Sequence, residues 1–457
     1  MGLVVFLACA SPAFAGGPHM LVGAAESIAE SNDPAVAKAE MDKAKLAGLD
    51  SIRLAQTWSK GDRALSKADQ TQLGNAIAAA QFTGIRVVLS LYPFGSSVTP
   101  LTDAQRADFA AFCADVAKRY PYVHDFIVGN EPNLNRFWMP QFGPNGEDVA
   151  APAYEQLLAD TSDAIKKVRP HSTVYGGALA PRGVDKPHTG RDTHSPTTFI
   201  ADLGAAYRAS GRQVPMMDAF AFHPYPENSA IGPNFPHPNS SSIGLADYDK
   251  LVGLLGAAFD GTAQHGSGLP ILYDEFGIET QIPAAKASLY TGTEPKTTKP
   301  VDDATQAQYY AQAMQMTFCQ PTVLGLLLFH VQDEKPRLGW QSGEYYVDGT
   351  PKPSLAAVHD AAGTVHRGVA ASCPGMHLTP KIVLVAKAGS VQMTCSLDCT
   401  YLVTLDGRRA NGKATGGVAK TVVSGHGLAA GRHVLRITAT AVLNAGPPGT
   451  ASLTFTT

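Results

Sequence analysis

Between about residues 18 and 368, short apolar, β-rich runs alternate with longer stretches whose apolar positions recur every three to four residues. The runs at 20–25, 51–58, 84–92, 124–131, 172–179, 218–225, 270–277 and 323–331 read as strands. The stretches at 34–47, 69–82, 103–118, 152–167, 197–209, 245–259 and 303–318 read as amphipathic helices. With a further helix near 353–363, eight strands and eight helices in alternation predict an α/β fold of the (β/α)8 TIM-barrel type. The nearest competitor, an open doubly wound sheet, usually carries a Gly-rich phosphate turn after its first strand. Here that position reads Ala24-Ala25-Glu26-Ser27, and the barrel is preferred.

The pattern changes after residue 368. Residues 369–380 carry Pro374, Gly375 and Pro380 and read as a linker. Beyond it, 381–386, 400–405 and 433–439 alternate like half-buried strands, with turns at Asp406-Gly407 and Gly431-Arg432. A small all-β sandwich of the immunoglobulin or fibronectin type is predicted over 381–457. Its role stays open between a carbohydrate-binding module, a barrel-packing domain and a spacer. The spacer is the plainer reading, because no row of exposed aromatic residues is evident.

Composition narrows the function. A chain of 457 residues suits one large domain, 18–368, plus a smaller one. The formal net charge of −3 carries no basic footprint and argues against nucleic acid as the partner. Residues 3–10 form an apolar run too short to span a bilayer, followed by the small-x-small step Ala13-Phe14-Ala15. A signal peptide over 1–15 is expected, and with it a secreted protein, extracellular or at the cell wall or periplasm. No later stretch suits a membrane span, and a monomer is expected. Cys9 leaves with the signal peptide. Among the remaining cysteines, Cys395 with Cys399 and Cys373 with Cys319 are candidate pairs, and Cys113 reads as a buried small hydrophobe.

Strand ends then supply the chemistry, because a barrel gathers the loops after its strands into one cleft. The second strand carries Arg53, the third ends in Tyr92, and the fourth runs Ile127-Val128-Gly129-Asn130-Glu131-Pro132-Asn133. The sixth ends in His223 and Tyr225, the seventh in Asp274 and Glu275, and the eighth leads through His330 to a loop with Trp340. Polar residues ending apolar strands are costly unless hydrogen-bonded or used. A carboxylate aimed from such a position is rigid and partly desolvated, conditions that suit proton donation near neutral pH. Two such glutamates far apart in sequence suggest a paired-carboxylate hydrolase.

This constellation resembles the clan-A glycoside hydrolases, the barrel superfamily that includes the cellulase-like family 5 and the xylosidase-like family 39. The matching residues are Asn130-Glu131-Pro132 after the fourth strand, Glu275 in Tyr-Asp-Glu-Phe-Gly on the seventh, Arg53 on the second, and the His223-x-Tyr225 step on the sixth. The resemblance covers about three quarters of the chain and not the C-terminal sandwich. It implies a retaining β-glycosidase acting by double displacement on a polysaccharide or oligosaccharide, with no cofactor and no metal. Glu275 would be the nucleophile and Glu131 the acid/base, with their carboxyl groups about 5–5.5 Å apart. Arg53 and Tyr225 would hold Glu275, Asn130 the sugar 2-hydroxyl, and His223 would orient the site. Tyr92 and His330 join the substrate-binding candidates. Trp340 would be the sugar platform, with Trp58 and Trp138 at flanking subsites. Asp274 should point to the opposite side of its strand.

Duller readings stand beside these. The two glutamates could be salt-bridge partners at the barrel rim, Arg53 a neutraliser of a buried carboxylate, and His223, His330 and Trp340 core residues. His237, in the Pro-rich stretch 233–238, reads as part of an ordered loop over the cleft. A non-catalytic carbohydrate-binding or cell-surface protein on a degenerate barrel is the competing function. Loops 133–151 and 226–244 favour a groove, whereas 279–302 could block one end, so endo and exo action both stay open.

Overall fold

The computed structural model describes residues 17–368, 379–387, 390–396, 399–415, 418–424, 428–441 and 448–456. The expected signal peptide and most of the expected linker lie outside the described residues. Eight parallel strands close into a barrel in chain order: β1 (Leu21–Ala25), β2 (Ser51–Trp58), β3 (Arg86–Pro93), β4 (Asp125–Val128), β5 (Thr173–Leu179), β6 (Ala219–Phe222), β7 (Ile271–Phe276) and β8 (Val323–Phe329). Each is followed by a helix: α1 (Pro34–Leu46), α2 (Lys67–Thr83), α3 (Asp103–Arg119), α4 (Ala150–Val168), α5 (Pro196–Ser210), α6 (Tyr248–Phe259), α7 (Asp303–Phe318) and α8 (Ser354–His366). Local chemistry marks the helix starts. Ser66 caps α2, Thr102 and Gln105 form a capping box on α3, and Asp302 caps α7. None of the described helices is long and apolar enough to cross a membrane.

Strand alternation sorts the core into two clusters. Outward residues such as Val87, Leu89 and Leu91 pack with the helices. Residues of the other parity, among them Val88, Ile127, Tyr175, Ala221, Leu272 and Leu327, form a second buried cluster in the lumen. Toward the strand C-termini the lumen turns polar, with Ser90, Arg53 and Asp274 all buried. That polar layer is the floor of the site.

Two strands are shorter than their apolar runs. β4 stops at Val128, because Gly129 and Glu131 adopt positive φ of 96° and 42°. A Cβ at Gly129 would sit 2.8 Å from the Tyr154 ring, so the turn there requires glycine. The Tyr154 hydroxyl donates to the Val128 carbonyl at 2.6 Å and accepts from the Gly177 amide at 2.8 Å, pinning the ends of β4 and β5 together. β6 stops at Phe222, which leaves His223 and Tyr225 beyond the strand.

The C-terminal strands are β9 (Ile382–Lys387), β10 (Ser390–Cys395), β11 (Cys399–Leu405), β12 (Arg408–Ala414), β13 (Lys420–Ser424), β14 (Arg432–Ala441) and β15 (Gly449–Thr456). They form antiparallel sheets of order β13-β10-β9 and β12-β11-β14-β15, and one apolar cluster draws on both. Cys395 is bonded to Cys399, Cys319 is also in a disulfide, and Cys113 is a buried free thiol. Cys373, the expected partner of Cys319, lies outside the described residues.

Candidate active site

The strand ends of β1 to β8 surround an open cleft of about 900 Å³. Arg53, Tyr92, Asn130, Glu131, Tyr225, Glu275, His330 and Trp340 all line it. His223 lies beneath, fully buried.

Glu275 is held on both oxygens. Arg53 Nη1 donates to Oε1, and the Tyr225 hydroxyl donates to Oε2 at 2.9 Å. The other arm of the Arg53 fork, Nη2, reaches Asn130 Oδ1 at 2.9 Å and Ser90 Oγ at 3.1 Å. Because Asn130 accepts through its oxygen, its amide nitrogen is the group left to donate. Glu131 makes one side-chain contact, from Oε1 to His223 Nδ1 at 3.1 Å, and its amide donates to the Ala178 carbonyl at 2.8 Å. Its second carboxylate oxygen has no protein partner among the described residues. One oxygen each from Glu131 and Glu275 and a nitrogen of His223 all lie within 4.8 Å of one another.

Asp274 does not point away from the site. The β7–β8 register shifts between Tyr273 and Phe276, so strict alternation fails where the two acids stand. A bulge of this kind re-aims side chains and lets neighbouring residues serve the same face. Asp274 is fully buried, with Oδ2 at 3.2 Å from His223 Nε2 and 3.4 Å from Arg53 Nε.

His223 therefore has a carboxylate oxygen at each ring nitrogen, with Glu275 Oε2 also 3.4 Å from Nδ1. Only the imidazolium can donate at both positions. Burial opposes that charge, but Glu275 and Asp274 outweigh it and raise the pKa to about 10. For Arg53 burial likewise opposes the charge, and Glu275 and Asp274 overcome it and push its pKa above the usual value. Burial raises Asp274, yet His223 and Arg53 bring it below the usual carboxylate range. Burial, followed by the charge of Glu275, drives the Tyr225 phenol well up, so it stays a donor.

Among the described residues, Glu131, His223 and Glu275 are also the one set of three acidic, histidine or cysteine side chains close enough to share a metal ion. A doubly protonated His223 has no lone pair to offer such an ion.

Around this centre, Trp340 lies against Tyr225 with ring centroids 4.9 Å apart and against Phe329 at 5.2 Å. His330 adopts φ 73° and places Nδ1 3.6 Å from Glu26 Oε2. Trp58 and Trp138 do not reach the cleft. Both are fully buried in the core, Trp58 edge-on to Phe109 and Trp138 edge-on to Tyr154. His237 is taken up locally, with Asp247 Oδ2 and Glu227 Oε1 each 2.6 Å from its ring nitrogens.

Sequence reasoning did not single out Ser90, Glu26, Arg136, Arg182 or Glu334. Ser90 was detectable as the polar break in Val-Val-Leu-Ser-Leu, and Glu26 as the acid ending the first strand. The others lie on loops whose course the strand pattern does not give.

Neither a family model nor a curated protein matches the chain. Among solved structures it is similar to GH5_18 from Streptomyces cattleya in complex with GlcNAc, at 16% identity over 78% of this chain and 82% of that one, with a TM-score of 0.52. A variant of that protein in complex with Manb1-4GlcNAc gives 16% identity over 79% and 84%, with a TM-score of 0.51. At this identity the likeness establishes a shared barrel fold. A β-glucuronidase from Bacteroides uniformis aligns with 97% of this chain at 11% identity and a TM-score of 0.45, and this chain spans 47% of its length.

Proposed function

We propose that the protein is a retaining β-glycoside hydrolase, with Glu275 as nucleophile and Glu131 as acid/base. One observation carries this reading: oxygens of the two carboxylates lie within 4.8 Å of each other across an open cleft. Retention requires carboxyl groups about 5–5.5 Å apart, whereas inversion needs about 6.5–9.5 Å to admit a water.

In the first step a Glu275 oxygen bonds to the anomeric carbon as the glycosidic bond breaks, and Glu131 gives its proton to the departing oxygen. In the second, Glu131 takes a proton from water, which attacks the same carbon and releases Glu275. Arg53 and Tyr225 fix the nucleophile, and the Asn130 amide is placed to donate to the sugar hydroxyl beside the anomeric carbon. The half-buried Trp340 offers its face to the ring.

The substrate is read as a polysaccharide or oligosaccharide, cleaved by a monomer outside the cytoplasm. The Ala13-Phe14-Ala15 step and the Cys395–Cys399 disulfide support export.

The test is hydrolysis of a panel of aryl β-glycosides, with the anomer of the first-formed product followed by NMR. The β-anomer should appear first, and Glu275→Gln should abolish turnover. Initial release of the α-anomer would remove the double-displacement assignment. A Glu275→Gln variant that hydrolyses at the wild-type rate would remove the nucleophile. Sugar binding with no turnover would favour a carbohydrate-binding protein on a degenerate barrel.

A further inference from the structure

The charges lining the cleft are not evenly paired. On the side formed by β7, β8 and β1 each lining acid is engaged. Glu275 is clamped by Arg53, and Glu26 accepts from the Ile28 and Val331 amides at 2.9 and 3.1 Å and faces His330. Glu334 accepts from the Trp340 amide at 2.7 Å. On the β4–β5 side, diametrically across the eight-stranded ring, stand two guanidinium groups. Arg182, half-buried in the loop after β5, gives one bond, from Nη1 to the Tyr225 carbonyl at 3.0 Å. Arg136, exposed in the loop after β4, lies over the Phe137 ring at 5.2 Å.

Neither arginine has a carboxylate within ion-pair distance among the described residues. The acids that act on Arg182 are Glu227 and Glu131. Glu227 is already occupied by His237, and Glu131 is the proposed acid/base. Burial accordingly pulls Arg182 below its usual pKa, and those two acids do not restore it. A half-buried guanidinium with unused donors is an incomplete site, and the planar partner that completes it best is a carboxylate.

We propose that the leaving-group half of the cleft selects substrates with a carboxylate, of the uronate type, on the unit attached to the scissile oxygen, with Arg182 and Arg136 as its receptors. This rests on the reading of Glu131 as acid/base, since that assignment makes its side of the ring the leaving-group side. The acidic residues opposite would disfavour the same charge on the other half of the substrate.

A matched pair of substrates tests it, the 4-hydroxybenzoate and 4-hydroxybenzamide β-glycosides, each made with glucose and with mannose. At low salt the carboxylated member should be favoured about tenfold or more in kcat/KM, the scale of one charge-assisted hydrogen bond. Added NaCl should shrink that ratio, and so should Arg182→Gln and Arg136→Gln, with the pair of substitutions bringing it close to one. Arg182→Lys should recover only part, because it keeps the charge and loses the fork. The exposed Arg136 gives an independent reading should Arg182→Gln disturb the loop. Turnover without a preference, or a preference indifferent to both arginines, overturns the inference and leaves the glycosidase reading intact. Calorimetric titration of Glu275→Gln with the same pair needs no turnover. Equal binding of the two there overturns the inference even if the glycosidase reading also fails.

Discussion

Glu275 and Glu131 face each other across one lumen but are held in opposite ways. Glu275 stands on a bulged strand and accepts from a cation on one oxygen and a phenol on the other. Glu131 stands past its strand, at φ 42°, with a single side-chain contact and one oxygen left to the cleft. A nucleophile must be fixed in line with its target, whereas an acid/base must trade a proton with a leaving oxygen and then with water. On the proposed roles, the bulge on β7 and the turn at Gly129 would be two backbone devices serving these two demands.

The sharpest break of this asymmetry is chemical. Glu275→Gln should lower kcat/KM by on the order of 10⁴-fold or more for every leaving group, because it removes the carboxylate assigned to attack. Glu131→Gln should cost about 10²–10⁴-fold for alkyl or sugar leaving groups. It should cost far less in the first step for 2,4-dinitrophenyl glycosides, whose departure needs no proton. A plot of log kcat/KM against leaving-group pKa should be steep for Glu131→Gln and flatter for the wild type. Equal slopes would mean that the free oxygen of Glu131 delivers no proton, and the comparison would fail.

A second test concerns what joins the two glutamates. Arg53 and His223 are held cationic by the carboxylates around them, and Asp274 is held below the usual carboxylate range by the same two cations. Asp274→Asn removes the counter-charge behind His223 and should lower the imidazolium pKa from about 10. The sign follows from linkage. His223 binds its proton more tightly folded than unfolded, so its stabilisation is full below about pH 6.5 and is lost as pH rises toward 10. In Asp274→Asn that loss should be complete at lower pH. The alkaline limb of kcat/KM should move down with it. Urea unfolding at pH 7, 8, 9 and 10 checks the first, a pH–rate profile checks the second, and ¹⁵N chemical shifts of the His223 ring follow its titration independently of activity. Unchanged ring titration in the variant would sink the role given to Asp274.

These contrasts also mark how far the residues could be read unaided. The eight strand–helix alternations were legible because each apolar run is long and capped by polar breaks, and Glu131 and Glu275 were legible as acids ending such runs. The partnership of Asp274 was not. Asp274 was placed by its neighbour Glu275, whereas it keeps the lumenal parity of Leu272 and the register shift brings Glu275 to the same side, a bulge that leaves no mark in the composition of Tyr-Asp-Glu-Phe-Gly. Trp58 and Trp138 were misjudged for a related reason, since an indole near a strand end reads the same whether it faces the cleft or packs on helices. In the C-terminal sheets, β12 passes as a loop because Arg-Arg-Ala-Asn-Gly-Lys-Ala is polar nearly throughout. It lies at the edge of its sheet, where charge blunts unwanted pairing, so burial never imposed an apolar face.

The mildest perturbation separates the sugar platform from the support of the nucleophile. Trp340 lines the cleft, but its ring also lies 4.9 Å from Tyr225, which donates to Glu275. If its main work is stacking on the sugar, Trp340→Ala should raise KM by about tenfold with little change in kcat, and Trp340→Phe should recover most of that. If it mainly braces Tyr225, the loss should fall on kcat, and Tyr225→Phe should add almost nothing to Trp340→Ala, because both would remove the same hold on Glu275. A double-mutant cycle read separately in kcat and KM distinguishes the two. The place of the half-buried Trp340 in the lining of a cleft of about 900 Å³ favours the first outcome. A pure kcat effect would move Trp340 from the substrate's side of the comparison to that of the nucleophile.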